Sequence, residues 1–516
     1  MSAMASRRDT YNASLILDGN LAAGRGDKVA VCIGDQTVTY RQLSELANRT
    51  GNALRELGVE QEQRVMMVVL DTPQFPATFF GAIKIGAVPV PANTVLPPAD
   101  YEYFLNDSRA KALVVSGPLY KLIDPIRANC RYLKHIVVVD GDGAPDTIDW
   151  KVWVEAASPA LDPADTSRDD MAFWLYSSGS TGFPKGAVHL QHDIEATVQS
   201  YAKGVLSMTA DDLCFSGSKL FHAYGLGNNM TFPYSVGAST VLFPGRPTAE
   251  AMFEALSHYK PTLFFSVPTL YAAMLAVPEA ESKYNLSSVR LCISAAESLP
   301  AEIYRRWKAK FGLEILDGIG STEMLHIFIS NYAGRARPGS SGHLVPGYRA
   351  KITNDAGAEV PTGEIGDLLV SGDSAAPFYW NKHEKTKTTM RGEWMFTGDR
   401  YHQDADQYFW YDGRSDDMFK VGGVWVSPIE VESALIEHPA VLESAVVGAK
   451  DEAGLVKTKA FVVLKRGQAG SPELVAELQG YVKSRIAPYK YPRSIVFVDD
   501  LPKTVTGKIQ RFKLRE

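Results

Sequence analysis

Cysteine is scarce in this sequence, which has 516 residues and only four cysteines. Cys32, Cys130, Cys214 and Cys292 are far apart and form no C-x-x-C pair, so we expect neither a disulfide framework nor a zinc site. Each lies in or beside an apolar run, which is typical of a buried thiol. This usage of cysteine indicates a reducing compartment and predicts a cytoplasmic protein.

The sequence also lacks an excess of charge and a long hydrophobic run. Lys and Arg number 53 and Asp and Glu number 59, for a net charge of -6. This balance gives no general attraction to nucleic acid or to an anionic membrane. No apolar run approaches the length of a membrane span, and the opening MSAMASRRDTYNASL has no apolar core of the signal-peptide kind. We expect no nucleic-acid or membrane partner.

Short strand-like runs alternate with helix-like segments over the first third of the chain. Lys28–Ile33 and Arg64–Leu70 have the apolar pattern of buried strands, and Tyr40–Leu57 carries its Leu and Ala residues on one helical stripe. Similar alternation resumes from about 190 to 311. This order predicts an α/β fold with layered, largely parallel sheets.

The end of the chain has a separate pattern. Polar, turn-forming residues at 412–417 precede two strand-like runs, a helix over about 472–486 and a further strand. Such a polar stretch is typical of a linker between domains. We predict a large N-terminal domain at 1–413, a linker at 414–417 and a small α+β domain at 418–516.

A stretch rich in Gly, Ser and Thr, WLYSSGSTGFPKGAVH, occupies residues 174–189. Its glycines let backbone N–H groups approach an anion, its hydroxyls add donors and its lysine adds a positive charge. The Walker pattern is absent, and both flanks look like strands. We predict a phosphate-binding loop between two strands, with a flexible hairpin loop as the alternative. The candidate residues are Ser177, Ser178, Gly179, Ser180, Thr181, Gly182 and Lys185.

Three further segments carry polar residues that suit nucleotide chemistry. In DGIGSTE, at 317–323, Glu323 could ligate Mg²⁺ on a triphosphate, and the alternative is a helix N-terminus capped by Ser or Thr. In FTGD, Asp399 could accept hydrogen bonds from ribose hydroxyls. In PKTVTGKI near the chain end, Lys508 would by itself be an ordinary surface lysine.

In this order the four segments resemble those of the adenylate-forming superfamily, which includes acyl-CoA and aryl-CoA synthetases, luciferases and carrier-protein-loading adenylation domains. KLFHAYGLGN at 219–228, DGIGSTEMLHIFISN at 317–331 and the tail from 487 onward resemble the benzoate–CoA ligase branch. The resemblance covers nearly the whole chain and implies an active site between two domains. One departure is His222, because benzoate enzymes of the branch carry Phe there and many other members carry His.

The resemblance implies a ligase that works in two steps. ATP and Mg²⁺ activate a benzoate-type acid (4-hydroxybenzoate or benzoate) as an aryl-adenylate with release of pyrophosphate. CoA then accepts the acyl group and AMP leaves. Two alternatives stay open: transfer to the thiol of a carrier protein, and a non-catalytic nucleotide-dependent binding module. Lys508 and Glu323 favour an enzyme, because a binding module has no use for a charge aimed at a transition state.

The resemblance also implies a role for each residue of the nucleotide site. The Ser177–Gly182 loop and Lys185 hold the β- and γ-phosphates, Thr322 contacts the α-phosphate, and Glu323 holds Mg²⁺. Lys508 bridges the acid and the nucleotide during adenylation. The residues implied to frame adenine are Ala295, Ala296, Glu297, Asp317, Gly318 and Ile319, and those implied to bind ribose are Asp399 and Arg414.

Asp416 is implied as a hinge about which the small domain rotates between the two steps. The rotation removes Lys508 and brings Gly422 and Gly423 to the tunnel for pantetheine, where glycines let a ligand pass close to the backbone. Lys420 is expected to approach the carboxylate or AMP in the second state, with a solvated lysine as the alternative.

The implied aryl pocket contains small, aliphatic and aromatic residues that suit a flat ring. His222 and His326 are candidates to hydrogen-bond a ring hydroxyl, and the alternative for His222 is simple packing against the ring. The pocket residues are His222, Ala223, Tyr224, Gly225, Gly320, Leu325, His326 and Ile327.

Overall fold

The structure is a computed structural model that describes most of the chain. The described residues are 10–141, 144–177, 184–415, 417–421, 424–451, 455–503 and 509–515, and for Lys420, Val424 and Trp425 the description is limited to the backbone. None of the helices in these ranges is long and apolar enough to cross a membrane.

The first part of the chain forms a parallel sheet with covering helices. Its elements in chain order are α1 (Leu15–Ala22), β1 (Val29–Ile33), β2 (Gln36–Thr39), α2 (Tyr40–Glu56), β3 (Arg64–Val68), α3 (Gln74–Lys84), β4 (Val88–Pro91), α4 (Pro98–Ser108), β5 (Ala112–Ser116), α5 (Gly117–Ile123), β6 (His135–Val139), β7 (Ile148–Asp149), α6 (Trp150–Ala156), β8 (Met171–Ser177) and β9 (Lys185–Leu190). The sheet order is β4-β3-β5-β6-β7, and every pairing is parallel.

Local sequence explains why these elements begin where they do. A capping box, in which the side chains of Thr39 and Gln42 each bind the other's backbone, starts α2 at the predicted residue. β8 and β9 pair in an antiparallel hairpin that flanks the Gly-, Ser- and Thr-rich stretch. The prediction that two strands flank this stretch is confirmed.

The middle of the chain completes a nine-stranded sheet. Its elements are α7 (Asp193–Thr197), β10 (Leu213–Ser216), α8 (Ala223–Leu226), α9 (Phe232–Val236), β11 (Ser239–Val241), α10 (Ala249–Tyr259), β12 (Leu263–Ser266), α11 (Pro268–Leu275), α12 (Ala280–Lys283), β13 (Leu291–Ser294), α13 (Ala301–Phe311), β14 (Ile315–Gly320), β15 (Ile327–Ser330) and β16 (His343–Leu344). The order is β16-β15-β14-β13-β12-β10-β11-β1-β2. The six strands from β14 to β1 are parallel, and the flanking pairings are antiparallel.

Buried apolar residues of both large sheets belong to one continuous core. Phe79 of α3 lies 5.2 Å, between ring centres, from Phe173 of β8. The same cluster contains Val65 from the parallel sheet and Ile293 from the nine-stranded sheet. The expected α/β fold with layered, largely parallel sheets is confirmed.

A third sheet, which is antiparallel, follows and was not predicted from the alternating pattern. Its elements are β17 (Arg349–Thr353), β18 (Gly366–Ser371), α14 (His383–Thr389), β19 (Met390–Arg391), β20 (Trp394–Gln403) and β21 (Phe409–Arg414). The ten-residue β20 pairs with β18, β19 and β21. The middle of β20 carries Asp399, which is paired with Arg414 at the end of β21.

The C-terminal part has its own small core and mixes α and β structure, as predicted. Its elements are β22 (Phe419–Val421), β23 (Val424–Val426), α15 (Pro428–Ile436), β24 (Val441–Lys450), β25 (Val456–Leu464), α16 (Pro472–Lys483) and β26 (Ser494–Phe497). β25, α16 and β26 form a crossover with parallel strands, and β24 pairs antiparallel to β25. Apolar residues of these elements, such as Val446, Val462 and Leu478, pack into a separate cluster.

Candidate active site

Several predicted site segments meet at the carboxyl edge of the nine-stranded sheet. β13 ends at Ser294 and β14 ends at Gly320, and Ser294 pairs with Asp317 in the register of these parallel strands. Residues 295–297 and 321–323 therefore leave the sheet from neighbouring strands. In open α/β sheets, ligands bind at this edge, outside the carboxyl ends of the strands.

Glu323 is held by two hydroxyl groups from distant segments. Tyr379 Oη donates to Glu323 Oε1 over 2.7 Å, and Ser177 Oγ donates to the same oxygen over 3.2 Å. Burial alone would raise the pKa of Glu323, but the Tyr379 hydrogen bond, the Lys185 charge and the Ser177 hydrogen bond bring it below its ordinary value. The side chain is therefore a positioned anion at neutral pH.

Lys185 begins β9, and both Lys185 and Glu323 contact Tyr379. Nζ of Lys185 lies 4.8 Å from the centre of the Tyr379 ring, a cation–π distance. Burial lowers the pKa of Lys185, and the charge of Glu323 offsets part of that effect. Tyr379 thus contacts an anion with its hydroxyl and a cation with its ring. The loop residues that lie outside the described ranges are Ser178, Gly179, Ser180, Thr181 and Gly182.

The segment that carries Thr322 and Glu323 is a turn. Leu325 N–H donates to the Thr322 carbonyl oxygen over 3.1 Å, and Leu325 has a φ of 64°. The alternative of a helix N-terminus is wrong, because β14 continues through Gly320 and a turn leads directly into β15. A positive φ at a residue with a side chain costs energy, and such strain clusters at functional sites.

The predicted adenine frame, residues 295–297 and 317–319, lies on neighbouring strands. Ala296 is exposed and has a φ of 75°, so this segment is also strained. Oδ2 of Asp317 accepts a hydrogen bond from Leu299 N–H over 3.3 Å, which anchors the segment after β13. Burial raises the pKa of Asp317 to about 8, so this carboxyl group is mostly neutral at pH 7.

Asp399 and Arg414, the predicted ribose residues, face each other on β20 and β21. They are paired in the register of these strands, and Arg414 Nη1 lies 3.0 Å from Asp399 Oδ1. Arg414 Nη1 also donates to the Thr397 carbonyl oxygen over 3.2 Å. The antiparallel sheet therefore brings together two residues that are 15 positions apart.

Three aromatic rings surround His326, and together they are called the aromatic box. The ring centre of His326 is 4.5 Å from that of Phe232, 5.1 Å from Tyr201 and 5.7 Å from Tyr224. Burial lowers the pKa of His326 to about 3, so the ring is neutral at physiological pH. Nε2 lies 3.0 Å from Asn228 Oδ1, an acceptor, so Nε2 carries the proton. Nδ1 is then an acceptor that has no hydrogen-bond partner among the described residues.

Close backbone contacts shape the rest of the predicted aryl pocket. A Cβ on Gly225 would lie 2.1 Å from the Lys219 carbonyl oxygen, and one on Gly320 would lie 2.5 Å from the His326 carbonyl oxygen, so both positions require glycine. The half-buried His222 precedes α8, and its ring centre lies 4.4 Å from that of Phe221. The predicted pocket residues with buried side chains are Ala223, Leu325, His326 and Ile327.

The contacts of the chain change partner at the predicted linker. Ser415 Oγ donates to Asp367 Oδ1 over 2.7 Å, and Ser415 N–H donates to the Gly398 carbonyl oxygen over 3.0 Å, so Ser415 is bound to the antiparallel sheet. The carboxylate of Asp417 instead lies 3.6 Å from Arg511 of the C-terminal part, while its N–H donates to the Arg414 carbonyl oxygen over 3.0 Å. Position 416 falls between these two sets of contacts. The predicted residues outside the described ranges here are Asp416, Gly422, Gly423 and Lys508, together with the side chain of Lys420.

Two polar residues of the site were missed by sequence reasoning. Tyr379 binds Glu323, which is 56 residues away, and His189 Nε2 lies 2.8 Å from the carbonyl oxygen of Thr322, which is 133 residues away. No local periodicity links partners at such separations. The aromatic run FYW at 378–380 is the one local signal.

Glu323 fits the role of a protein ligand to Mg²⁺. The described residues contain no group of three or more His, Cys, Asp or Glu side chains that could hold a metal by themselves. Mg²⁺ usually keeps several waters and takes one or two carboxylates together with substrate phosphate oxygens. A single fixed carboxylate beside a lysine therefore suits a Mg²⁺ ion that arrives with a nucleotide.

Comparison with known proteins matches both parts of the chain. The family described as AMP-binding enzyme matches residues 20–380, and the AMP-binding enzyme C-terminal domain matches residues 430–508. A benzoate–CoA ligase of Thauera aromatica is 51% identical over 510 residues, which are 98% of this chain and 96% of that protein.

Two further proteins are similar to this chain over nearly its whole length. A 4-hydroxybenzoate–CoA/benzoate–CoA ligase of Rhodopseudomonas palustris is 46% identical and covers 98% of this chain and 94% of its own length. The crystal structure of an anthranilate CoA ligase in complex with anthranoyl-AMP has a TM-score of 0.95 at 47% identity, over 98% of this chain and 96% of that one.

Proposed function

The chain belongs to the AMP-binding enzyme family, and we propose that it is an ATP-dependent aryl-CoA ligase for benzoate-type acids. It joins the acid to AMP with release of pyrophosphate and then transfers the acyl group to CoA. The observation that carries this proposal is the turn between β14 and β15. This one turn carries Thr322, Glu323 with its hydrogen bond from Tyr379, and His326 in the aromatic box.

The first step needs the acid and the α-phosphate to be held together in spite of their like charges. An oxygen of the carboxylate attacks the α-phosphorus, and the bond to the pyrophosphate oxygen breaks. Lys185 is proposed to attract the outgoing phosphates, and Glu323 is proposed to hold Mg²⁺, which neutralises phosphate charge when bound; both residues contact Tyr379. Lys508 is proposed to bridge the acid and the nucleotide as negative charge builds at phosphorus.

The second step needs a different set of groups near the acyl carbon. The thiol sulfur of CoA attacks that carbon, and AMP leaves with the oxygen that the acid contributed. We place the domain boundary at 414–417 and the hinge at Asp416, because Ser415 is bound to the large domain and Asp417 is paired with Arg511 of the small one. Rotation there withdraws Lys508 and presents Gly422, Gly423 and Lys420.

The pocket favours a flat aromatic acid, with 4-hydroxybenzoate or benzoate as the proposed substrate. Rings of Phe232, Tyr201 and Tyr224 surround His326, and aromatic side chains of this kind pack well against another ring. Nδ1 of the neutral His326 is a buried acceptor beside these rings, and the half-buried His222 is a second polar group. A ring hydroxyl would supply a donor, which an alkyl acid does not have.

The proposal is tested by incubating the protein with ATP, Mg²⁺ and CoA and one acid at a time. Benzoate, 4-hydroxybenzoate, 2-aminobenzoate and octanoate form a suitable panel, with AMP release and the mass of the CoA thioester as readouts. We expect kcat/KM for an aryl acid to exceed that for octanoate by about ten-fold or more, or at least 1.4 kcal/mol of transition-state binding. A preference for octanoate would overturn the substrate class.

We also propose that the enzyme works in the cytoplasm. All four cysteines are free, and three of them, Cys130, Cys214 and Cys292, are buried. Free thiols at this density suit a reducing compartment.

A further inference from the structure

His189 is a buried polar side chain to which the proposed mechanism gives no role. It lies in β9, four residues after Lys185, and neither His189 nor Asp193 has any exposed side-chain area. Its ring stacks on Phe173, with 5.2 Å between ring centres and 23° between ring planes. A polar side chain is expensive to bury without partners, so the hydrogen bonds of this ring indicate why it is there.

Both nitrogens of the His189 ring make short contacts with acceptors. Nε2 lies 2.8 Å from the carbonyl oxygen of Thr322, and Nδ1 lies 2.8 Å from Oδ2 of Asp193. The same Oδ2 also accepts a hydrogen bond from Leu190 N–H over 3.1 Å. A carbonyl oxygen can only accept, so Nε2 carries a hydrogen and donates a hydrogen bond to the Thr322 carbonyl oxygen.

The hydrogen bond from His189 ends at the turn between β14 and β15, which contains a residue with a positive φ. The Thr322 carbonyl also accepts from Leu325 N–H, so one oxygen receives both the bond that closes the turn and the bond from β9. The turn contains the strained Leu325 and is therefore not held by local preference alone. Hydrogen bonds from the surrounding structure are needed to hold the turn in this conformation.

We propose that His189, oriented by Asp193, is a positioning residue that fixes the Thr322–Glu323 turn for ATP. Tyr379 and Ser177 hold the side chain of Glu323, whereas His189 holds the backbone one residue earlier. β9 begins with Lys185, so one strand presents the phosphate-binding lysine and also anchors the turn that is to hold Mg²⁺. The inference rests on the proposed adenylating function, because it assigns His189 to the same nucleotide site.

A matched pair of substitutions separates this role from general packing. In His189→Gln the amide nitrogen takes the place of Nε2 and can still donate to the Thr322 carbonyl. In His189→Asn the shorter side chain replaces Nδ1, reaches Asp193 and leaves the Thr322 carbonyl without its donor. Both variants lose the stacked ring, so a purely structural role would affect them equally.

Pyrophosphate–ATP exchange with benzoate, together with thermal unfolding, is the measurement. We expect kcat/KM for MgATP to be about ten-fold lower in His189→Asn than in His189→Gln, with similar melting temperatures. Equal kcat/KM in the two folded variants would overturn the inference. Absence of exchange by the wild-type protein with every acid tested would overturn the proposed function instead.

Asp193→Asn gives an independent test that keeps the volume of the buried pair. The amide oxygen is expected to remain on Leu190 N–H and to accept from Nδ1. A neutral ring with its proton on Nδ1 then presents a lone pair, not a donor, to the Thr322 carbonyl. We expect the same loss of exchange as in His189→Asn, and exchange at the wild-type rate in folded Asp193→Asn would contradict the orienting role.

Discussion

The hydroxyl of Tyr379 lies 2.7 Å from Oε1 of Glu323, and the ring of the same tyrosine lies 4.8 Å from Nζ of Lys185. One side chain therefore contacts both charges that are proposed to bind ATP and its Mg²⁺. The hydrogen bond also contributes to lowering the pKa of Glu323, which keeps this carboxylate ionised in spite of burial.

Tyr379→Phe removes the hydrogen bond and keeps the ring beside Lys185. A hydrogen bond to a charged group contributes about 1.5–3 kcal/mol, so we expect kcat/KM for MgATP in pyrophosphate exchange to fall about ten-fold or more. Tyr408→Phe is the control, because the Tyr408 hydroxyl donates to the Arg335 carbonyl oxygen over 2.8 Å, outside the site. Unchanged ATP kinetics in Tyr379→Phe would show that this hydrogen bond does not position Glu323.

Lys508→Ala should separate the two half-reactions. The lysine is proposed to act only while the acid attacks the α-phosphate, so pyrophosphate exchange should be nearly abolished. Thioester formation from presynthesised benzoyl-adenylate and CoA should be largely retained. Lys503→Ala is the control in the same tail, because Lys503 is paired with Glu443 over 2.7 Å. Comparable losses in both half-reactions would rule out a role limited to adenylation.

Asp416→Pro should impair the second step more than the first. Proline fixes φ near -65°, so it restricts rotation at the position between the contacts of Ser415 and those of Asp417. We expect thioester formation from benzoyl-adenylate to slow far more than pyrophosphate exchange. Asp416→Ala removes the same side chain without restricting φ and should be close to wild type. If both half-reactions run normally in the proline variant, the hinge lies elsewhere.

His222→Phe tests the polar side of the aryl pocket. If a ring hydroxyl of the substrate hydrogen-bonds His222, the hydroxylated acid gains an interaction that benzoate cannot make. We then expect kcat/KM for 4-hydroxybenzoate to fall about ten-fold, while benzoate is spared or improved. Equal losses on both acids would indicate that His222 only packs or positions neighbouring groups.

The parts of the fold that follow from local pattern were predictable. α2 occupies the residues of its apolar stripe and capping box, and β8 and β9 flank the Gly-, Ser- and Thr-rich stretch as expected. The antiparallel sheet from β17 to β21 was not, because β17 and β18, and likewise β20 and β21, pair as antiparallel neighbours along the chain, whereas alternating strand-like and helix-like runs indicate parallel strands.

The same distinction holds for the site. The motif at 317–323 indicated Glu323, and the paired strands bring Asp399 beside Arg414. Tyr379 and His189 could not be found in this way, because each acts through a partner on another segment and neither belongs to a motif that indicates its role. The roles of Lys508, Asp416 and the Ser178–Gly182 loop remain predictions.

The carboxylate is proposed to attack the α-phosphate of ATP before CoA reacts, and oxygen labelling reports this order of events. Benzoate labelled with ¹⁸O in both carboxyl oxygens is incubated with the protein, ATP, Mg²⁺ and CoA, and the products are analysed by mass spectrometry. We expect one ¹⁸O atom in the phosphate group of AMP and one in the thioester carbonyl. Label in inorganic phosphate with formation of ADP, or unlabelled AMP, would contradict this expectation.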